Sequence, residues 1–159
     1  MILRAAHRSV RRRIGAAAVE FAVVLPVFLT FVFGVIEVSR IRLTSNLLKT
    51  ACRTAARYGA AEGVSSAQAC ERVRAILSTA LNAQAVSVVV KDASVYDTGG
   101  ELPDNPEDYD ALPNIELDQA QPRQLFLIRA TVGYNRVALI PFACLSGVSF
   151  TGQAFMRHE

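Results

Sequence analysis

Residues Arg11–Glu20 read Arg-Arg-Arg-Ile-Gly-Ala-Ala-Ala-Val-Glu, and an apolar run starts at once with Phe21. The chemistry here belongs to Glu20. A carboxylate at the centre of a bilayer costs about 2.5–3.5 kcal/mol on insertion scales. A carboxylate at the mouth of an apolar segment therefore needs a partner or a place at headgroup level. The other groups with chemistry are scattered. The two histidines, His7 and His158, sit at opposite ends, so a serine or cysteine nucleophile has no base at hand and zinc has no ligand set. No Gly-rich phosphate loop occurs. Asp104-Asn-Pro-Glu-Asp108-Tyr-Asp110 hints at calcium, but lacks the Gly and the closing Glu of an EF-hand loop. The residues point to a protein that is not an enzyme and carries no cofactor or metal.

The elements that would position Glu20 are legible. From Phe21 to Ile36 every residue is apolar, Gly, Pro or Thr. Extended from Ala16 to Val38, the stretch makes about 34 Å of helix at 1.5 Å per residue, enough for a hydrocarbon core of about 30 Å. Nothing later repeats it, so the chain is expected to span once. Arg4, Arg8, Arg11, Arg12 and Arg13 precede the span with no acid among them, while the rest holds 12 Lys or Arg against 14 Asp or Glu. That asymmetry keeps the N-terminus cytoplasmic and sends the remainder across. The Arg cluster has no nucleic-acid-binding fold behind it, so nucleic acid is not an expected partner. Ala16, Ala17 and Ala18 come before the apolar run, whereas a cleaved secretory signal puts its small residues after it. The segment is therefore expected to stay on the mature protein. Pro26 removes one helical donor and should bend the span.

Gly15-Ala-Ala-Ala-Val-Glu20-Phe21, followed by Val24-Leu-Pro26 and Phe33-Gly34-Val-Ile-Glu37, resembles the TadE-like pseudopilins of the tight-adherence (Flp-type) pilus systems. The resemblance is dense from Arg11 to Arg57 and weak through the middle, and Gln153-Ala-Phe-Met-Arg157 resembles the family's closing strand. It implies that Gly15 ends a leader and that Ala16 begins the mature chain, cut by a prepilin peptidase at the cytoplasmic face. It implies a recognition or assembly role for Glu20 with Phe21, and partners among other pseudopilins and the pilus-platform membrane proteins. The chemistry agrees. Ala16 and Glu20 share a helix face, and cleavage would free an α-amino group, of unperturbed pKa about 7.7–8.0, to pair with Glu20.

Beyond the span the helix should continue to about Tyr58. Ile41, Leu48, Cys52 and Ala55 fall on one face and Arg42, Lys49, Arg53 and Arg57 on another. The basic face reads as a solvated surface, or as one that meets lipid headgroups or an acidic neighbour. Small Ala51, Ala55 and Ala56 allow close approach, and Gly59 and Gly63 break the helix. Ser65 with Gln68 forms a capping box for a second helix, with Ala69, Val73, Ile76 and Ala80 along one edge and Cys70, Leu77 and Leu81 extending the face. Val86–Val90 reads as a short strand. Leu125–Asn135 alternates cleanly as the best strand, and Val148, Phe150, Gly152, Ala154 and Met156 mark a last one. Asp97–Asp118 carries eight acids, no bases and three prolines, and should be a solvated loop that buries little.

The expected fold is α+β and pilin-like: a long N-terminal transmembrane helix, a second helix, and an antiparallel sheet of about three strands burying Phe126 and Phe150 against the helices. The expected division is a basic leader over 1–15, a transmembrane helix over 16–38, and a periplasmic head over 39–159. The protein would then sit in the inner membrane as a single-pass component for assembly of a tight-adherence pilus. The alternative is a membrane-anchored periplasmic binding or enzymatic domain with an uncleaved anchor. In the periplasm a disulfide is permitted among Cys52, Cys70 and Cys144. Cys70–Cys144 is the first pairing to expect and Cys52–Cys70 the next, with a buried free thiol equally open for Cys52, since spacing does not fix connectivity.

Overall fold

The computed structural model describes residues 2–100, 106–139 and 145–159. Helix α1 runs Ile2–Gly59 and passes through Pro26 without a break in assignment. The chain divides into two compact units, Met1–Ser39 and Arg40–Glu159, an arm and a head.

The arm is helix alone. Its apolar side chains face outward: Val19, Phe21, Val27 and Phe31 are all more than 60% exposed. Thr30 returns its hydroxyl to the Pro26 carbonyl at 2.8 Å, an i−4 bond common for Thr inside helices. The helix meets the length and composition of a membrane span, and none of its most apolar 18-residue window is buried within the protein.

The head is built on a three-stranded antiparallel sheet of β1 (Ser87–Asp92), β2 (Leu125–Gly133) and β3 (Ser149–Arg157), in the order β1-β2-β3. Register sets Ile128 opposite both Val90 and Ala154. Central β2 places Phe126, Ile128, Ala130 and Val132 on one face, and all four are buried among Leu48, Cys52, Ala55 and Ala56 of α1 and Ala69, Val73 and Leu77 of the second helix. That helix, α2 (Ser66–Leu77), opens on the capping box: Ser65 accepts from the Gln68 N–H, and Gln68 Oε1 accepts from the Ser65 N–H. Both bonds satisfy donors that a helix start leaves open. Ala80, expected on this face, lies past the helix end and is exposed.

Small residues let α1 and β3 meet. A Cβ built on Gly152 would stand 2.4 Å from the Leu48 carbonyl carbon and 2.6 Å from the Lys49 nitrogen, so only glycine fits. Cys52 donates its thiol to the Gly152 carbonyl at 3.3 Å beside this contact.

The second face of the sheet corrects the reading of the acidic segment as a loop that buries little. Ala93, Tyr109 and Leu127 form a second buried cluster, with Tyr96, Leu112, Leu125 and Phe155 against it. The described parts of this acidic strap on the second face are short helical turns, Ser94–Tyr96 and Pro106–Ala111. Tyr96, Tyr109 and Phe155 stack edge to face with centroids 5.9–6.2 Å apart. The strap then returns to the helix side. Leu117 is fully buried there, and Ser66 clasps the backbone, donating to the Ile115 carbonyl and accepting from the Leu117 N–H. Apolar anchors spaced among the carboxylates suffice to hold the strap, because the carboxylates themselves can point to water.

Candidate processing and assembly segment

Gly15 lies inside α1, exposed, and a Cβ there would meet nothing within 4 Å. Ala16 follows in the helix, and its side chain lies outside the described residues. Glu20 is exposed, and Phe21 is 64% exposed. The helix puts Ala16 and Glu20 one turn apart on a common face. The four residues of the expected site therefore fall within about two turns of one helix. Glu20 forms no ion pair among the described residues.

What this arrangement can do follows from what surrounds it. A peptidase must draw a peptide bond out of helical geometry. Glycine weakens a helix by about 1 kcal/mol relative to alanine, and no tertiary contact at Gly15 opposes opening. Glu20 sits at the start of an outward-facing apolar surface, and the side chains of Arg11, Arg12 and Arg13 ahead of it lie outside the described residues.

The cysteines lie elsewhere. Cys52 and Cys70 are free thiols, in the core of the head and at its margin. The pair Cys52–Cys70 is thus not formed. Cys144 lies outside the described residues, and with it the expected Cys70–Cys144 bridge. Burial pushes the Cys52 thiol up to about 12, with a further upward push from Cys70 nearby. Cys70 is raised as well, again mainly by burial. Neither thiol is a ready nucleophile. Among the described residues no group of three or more His, Cys, Asp or Glu could hold a metal. Residues 101–105 of the calcium-like stretch lie outside the described residues, and Asp110 within it pairs with Arg129 at 3.2 Å.

Sequence reasoning missed Arg129. It is 3% exposed on the strap face, with its guanidinium 6.0 Å from the centre of the Tyr109 ring. The signal was present: Leu125, Leu127 and Phe155 put apolar side chains on the second face of the sheet, and a sheet apolar on both faces is covered on both.

An α+β head on one exposed apolar helix defines the class: a protein whose single N-terminal helix fits a membrane anchor. The TadE-like protein family model matches residues 15–57, beginning at Gly15 itself and running through the apolar helix into the head. The resemblance read from Gly15, Glu20-Phe21, Leu25-Pro26 and Glu37 is shown over that segment. No curated protein and no solved structure matches the chain.

Proposed function

We infer that this chain is a pseudopilin-like component for assembly of a tight-adherence pilus, processed after Gly15 by a prepilin peptidase. The observation that carries this reading is the family match, whose first residue is Gly15. The exposed apolar helix behind it supports the same reading. A helix that buries none of its apolar window within its own chain has lipid or other helices as its packing partners.

In this reading residues 1–15 are a cytoplasmic leader, 16–38 the span, and 39–159 a periplasmic head of an inner-membrane protein. Five cations also follow the span, from Arg40 to Arg57. They weaken the charge asymmetry that would place the leader in the cytoplasm, and cleavage by a cytoplasmic-face peptidase would require the same orientation. After cleavage the Ala16 α-amino group and Glu20 neutralise each other, within one subunit or between neighbours, and that pairing sets the depth and register of the helix among other pseudopilins and the platform proteins. Glu20 acts here as a positioning residue.

The test is the intact mass of the protein from its own membranes, beside a Gly15→Ala variant. The expected result is a chain beginning at Ala16, with the variant left uncut. Full-length chains in both would sink the processing claim and leave Glu20 as an interfacial residue of a plain anchor.

A further inference from the structure

The head leaves few large apolar side chains in the open. From Arg40 onward, those exposed among the described residues are Leu43, Tyr58, Val95, Leu139 and Val148. Leu43, Leu139 and Val148 belong to one end of the head, the end at which α1 enters it.

Hydrogen bonds fix that placement. Leu43 follows Val38, the last residue of the proposed span, on the same continuous helix. Arg40, two residues past Val38, donates to the Val137 carbonyl at 2.8 Å. The connection between β2 and β3 is therefore within one side chain's reach of the start of the head. Its base is firm. The Tyr134 N–H donates to the Val148 carbonyl at 2.8 Å, and Asn135 Nδ2 donates to the Ser146 carbonyl at 3.3 Å. Tyr134 is buried and stands edge to face on Phe150. Leu139 and Val148 stay outside this base. Val95 belongs to the other end of the sheet. It follows Asp92, which pairs with Phe126, whereas the connection leaves β2 after Gly133, about 23 Å further along the strand.

The exposed charge of the connection and of the first turn of the head has one sign. From Gln119 to His158 the sequence has four arginines and no acid. Arg136 is exposed in the connection, and Arg42 is exposed on α1. The acid close by in sequence, Glu37, is buried.

We propose that the β2–β3 connection rests on the bilayer surface beside the span, with Leu139 and Val148 in the acyl boundary and Arg136 among anionic headgroups. This rests on the reading of residues 16–38 as a span. Continuity with the span selects lipid as the occupant. A helix that leaves the bilayer at Val38 puts Arg40 at headgroup level, and the bond to Val137 brings the connection to that level. Exposed apolar side chains beside cations suit this boundary, since the apolar groups reach the acyl chains while arginine keeps its charge at the phosphates. Residues 140–144 lie outside the described residues, and the contact is assigned to their described neighbours alone. The head then touches the membrane at a second place beside its covalent link.

The chain has no tryptophan, so a single one reports its own surroundings. Full-length Leu139→Trp, Val95→Trp and Phe28→Trp chains are reconstituted in vesicles containing phosphatidylglycerol. The lipids carry bromine, a contact quencher, either near the headgroup end of the acyl chains or near their middle. Leu139 and Val95 are matched in exposure, at 54% and 48%. Shallow bromine should quench Leu139→Trp several-fold more than Val95→Trp, and deep bromine should quench Phe28→Trp. Val148→Trp should follow Leu139→Trp, so the result does not hang on one variant. Adding Arg136→Glu to the Leu139→Trp chain should lower its quenching, as repulsion from anionic lipid replaces attraction.

Leu139→Trp and Val148→Trp quenched no more than Val95→Trp would overturn the proposal. So would blue-shifted Leu139→Trp emission without bromine quenching, which would place a second copy or another protein on this surface. Undiminished quenching with Arg136→Glu would overturn the assignment of Arg136. The span can fail separately. Phe28→Trp quenched with Leu139→Trp unquenched keeps the span and loses this contact, and the converse keeps the contact and loses the span.

Discussion

The arm and the head use the same residue types in opposite ways, and their glycines show it. Around Gly15 and Gly34 in the arm a Cβ would meet nothing within 4 Å. At Gly152 it would meet α1 backbone at 2.4 Å, and at Gly59 the Leu117 side chain at 2.9 Å. Large apolar side chains divide in the same way. Phe28 and Phe31 are 58% and 70% exposed in the arm, whereas Phe126 is fully buried in the head. The head has found its packing partners within the chain. The most apolar window of the arm is not buried within the chain, and in the proposed reading its partners are lipid and other subunits. A difference of this kind makes substitutions in the head matter to stability and substitutions in the arm matter to assembly.

The largest effect that would sharpen this comparison is at Gly152. The atoms in the way are backbone of α1, which cannot rotate aside as a side chain can. Gly152→Ala should cost about 3 kcal/mol, the upper end of the range for overpacking. The midpoint of denaturant unfolding of the full chain in detergent, followed by tyrosine near-ultraviolet signal, reads it. An unchanged midpoint would mean that α1 and β3 do not approach as described.

Next is Cys52. Its folded thiol titrates near 12 against an ordinary value of 9.0, because burial disfavours the thiolate. For this raised group the sign is fixed. Below pH 9 the thiol is neutral in both states and its contribution is fully present. Between pH 9 and 12 the unfolded chain ionises first, so stability falls as pH rises. The loss should reach about 1 kcal/mol by pH 10, from 1.36 kcal/mol per pH unit. Comparing unfolding free energies of wild type and Cys52→Ala from pH 8 to 10.5 isolates it. Parallel profiles would show Cys52 to be solvated.

The parts of the fold that were legible in the sequence are those set by neighbours in sequence. The second helix announces itself through Ser65 and Gln68, whose mutual bonds need only three residues of spacing. Strand β2 is legible because alternation over nine residues leaves little else to form. The strap was not legible. Eight carboxylates between Asp97 and Asp118 dominate any average, and the burial of Tyr109, Ile115 and Leu117 depends on surfaces made by residues far away in sequence. The segment proposed for processing is a local motif, and the family match over residues 15–57 covers Gly15, Ala16, Glu20 and Phe21.

The smallest effect is the one that tests the arm. Gly34 is held in α1 with open space around it, so no clash opposes a methyl group there, and a helix gains up to about 1 kcal/mol when alanine replaces glycine in its interior. Gly34→Ala should therefore leave the unfolding midpoint of the head within about 0.5 kcal/mol of wild type, as for substitutions away from packed contacts. Any consequence should appear between subunits, because a small residue on an outward-facing helix lets another helix come close and a methyl group holds it off. Chemical cross-linking of the membrane-embedded variant, run beside its unfolding midpoint, separates the two. A lowered midpoint with unchanged cross-linking would place the packing partner of Gly34 inside its own chain, and the contrast between arm and head would fail at that residue.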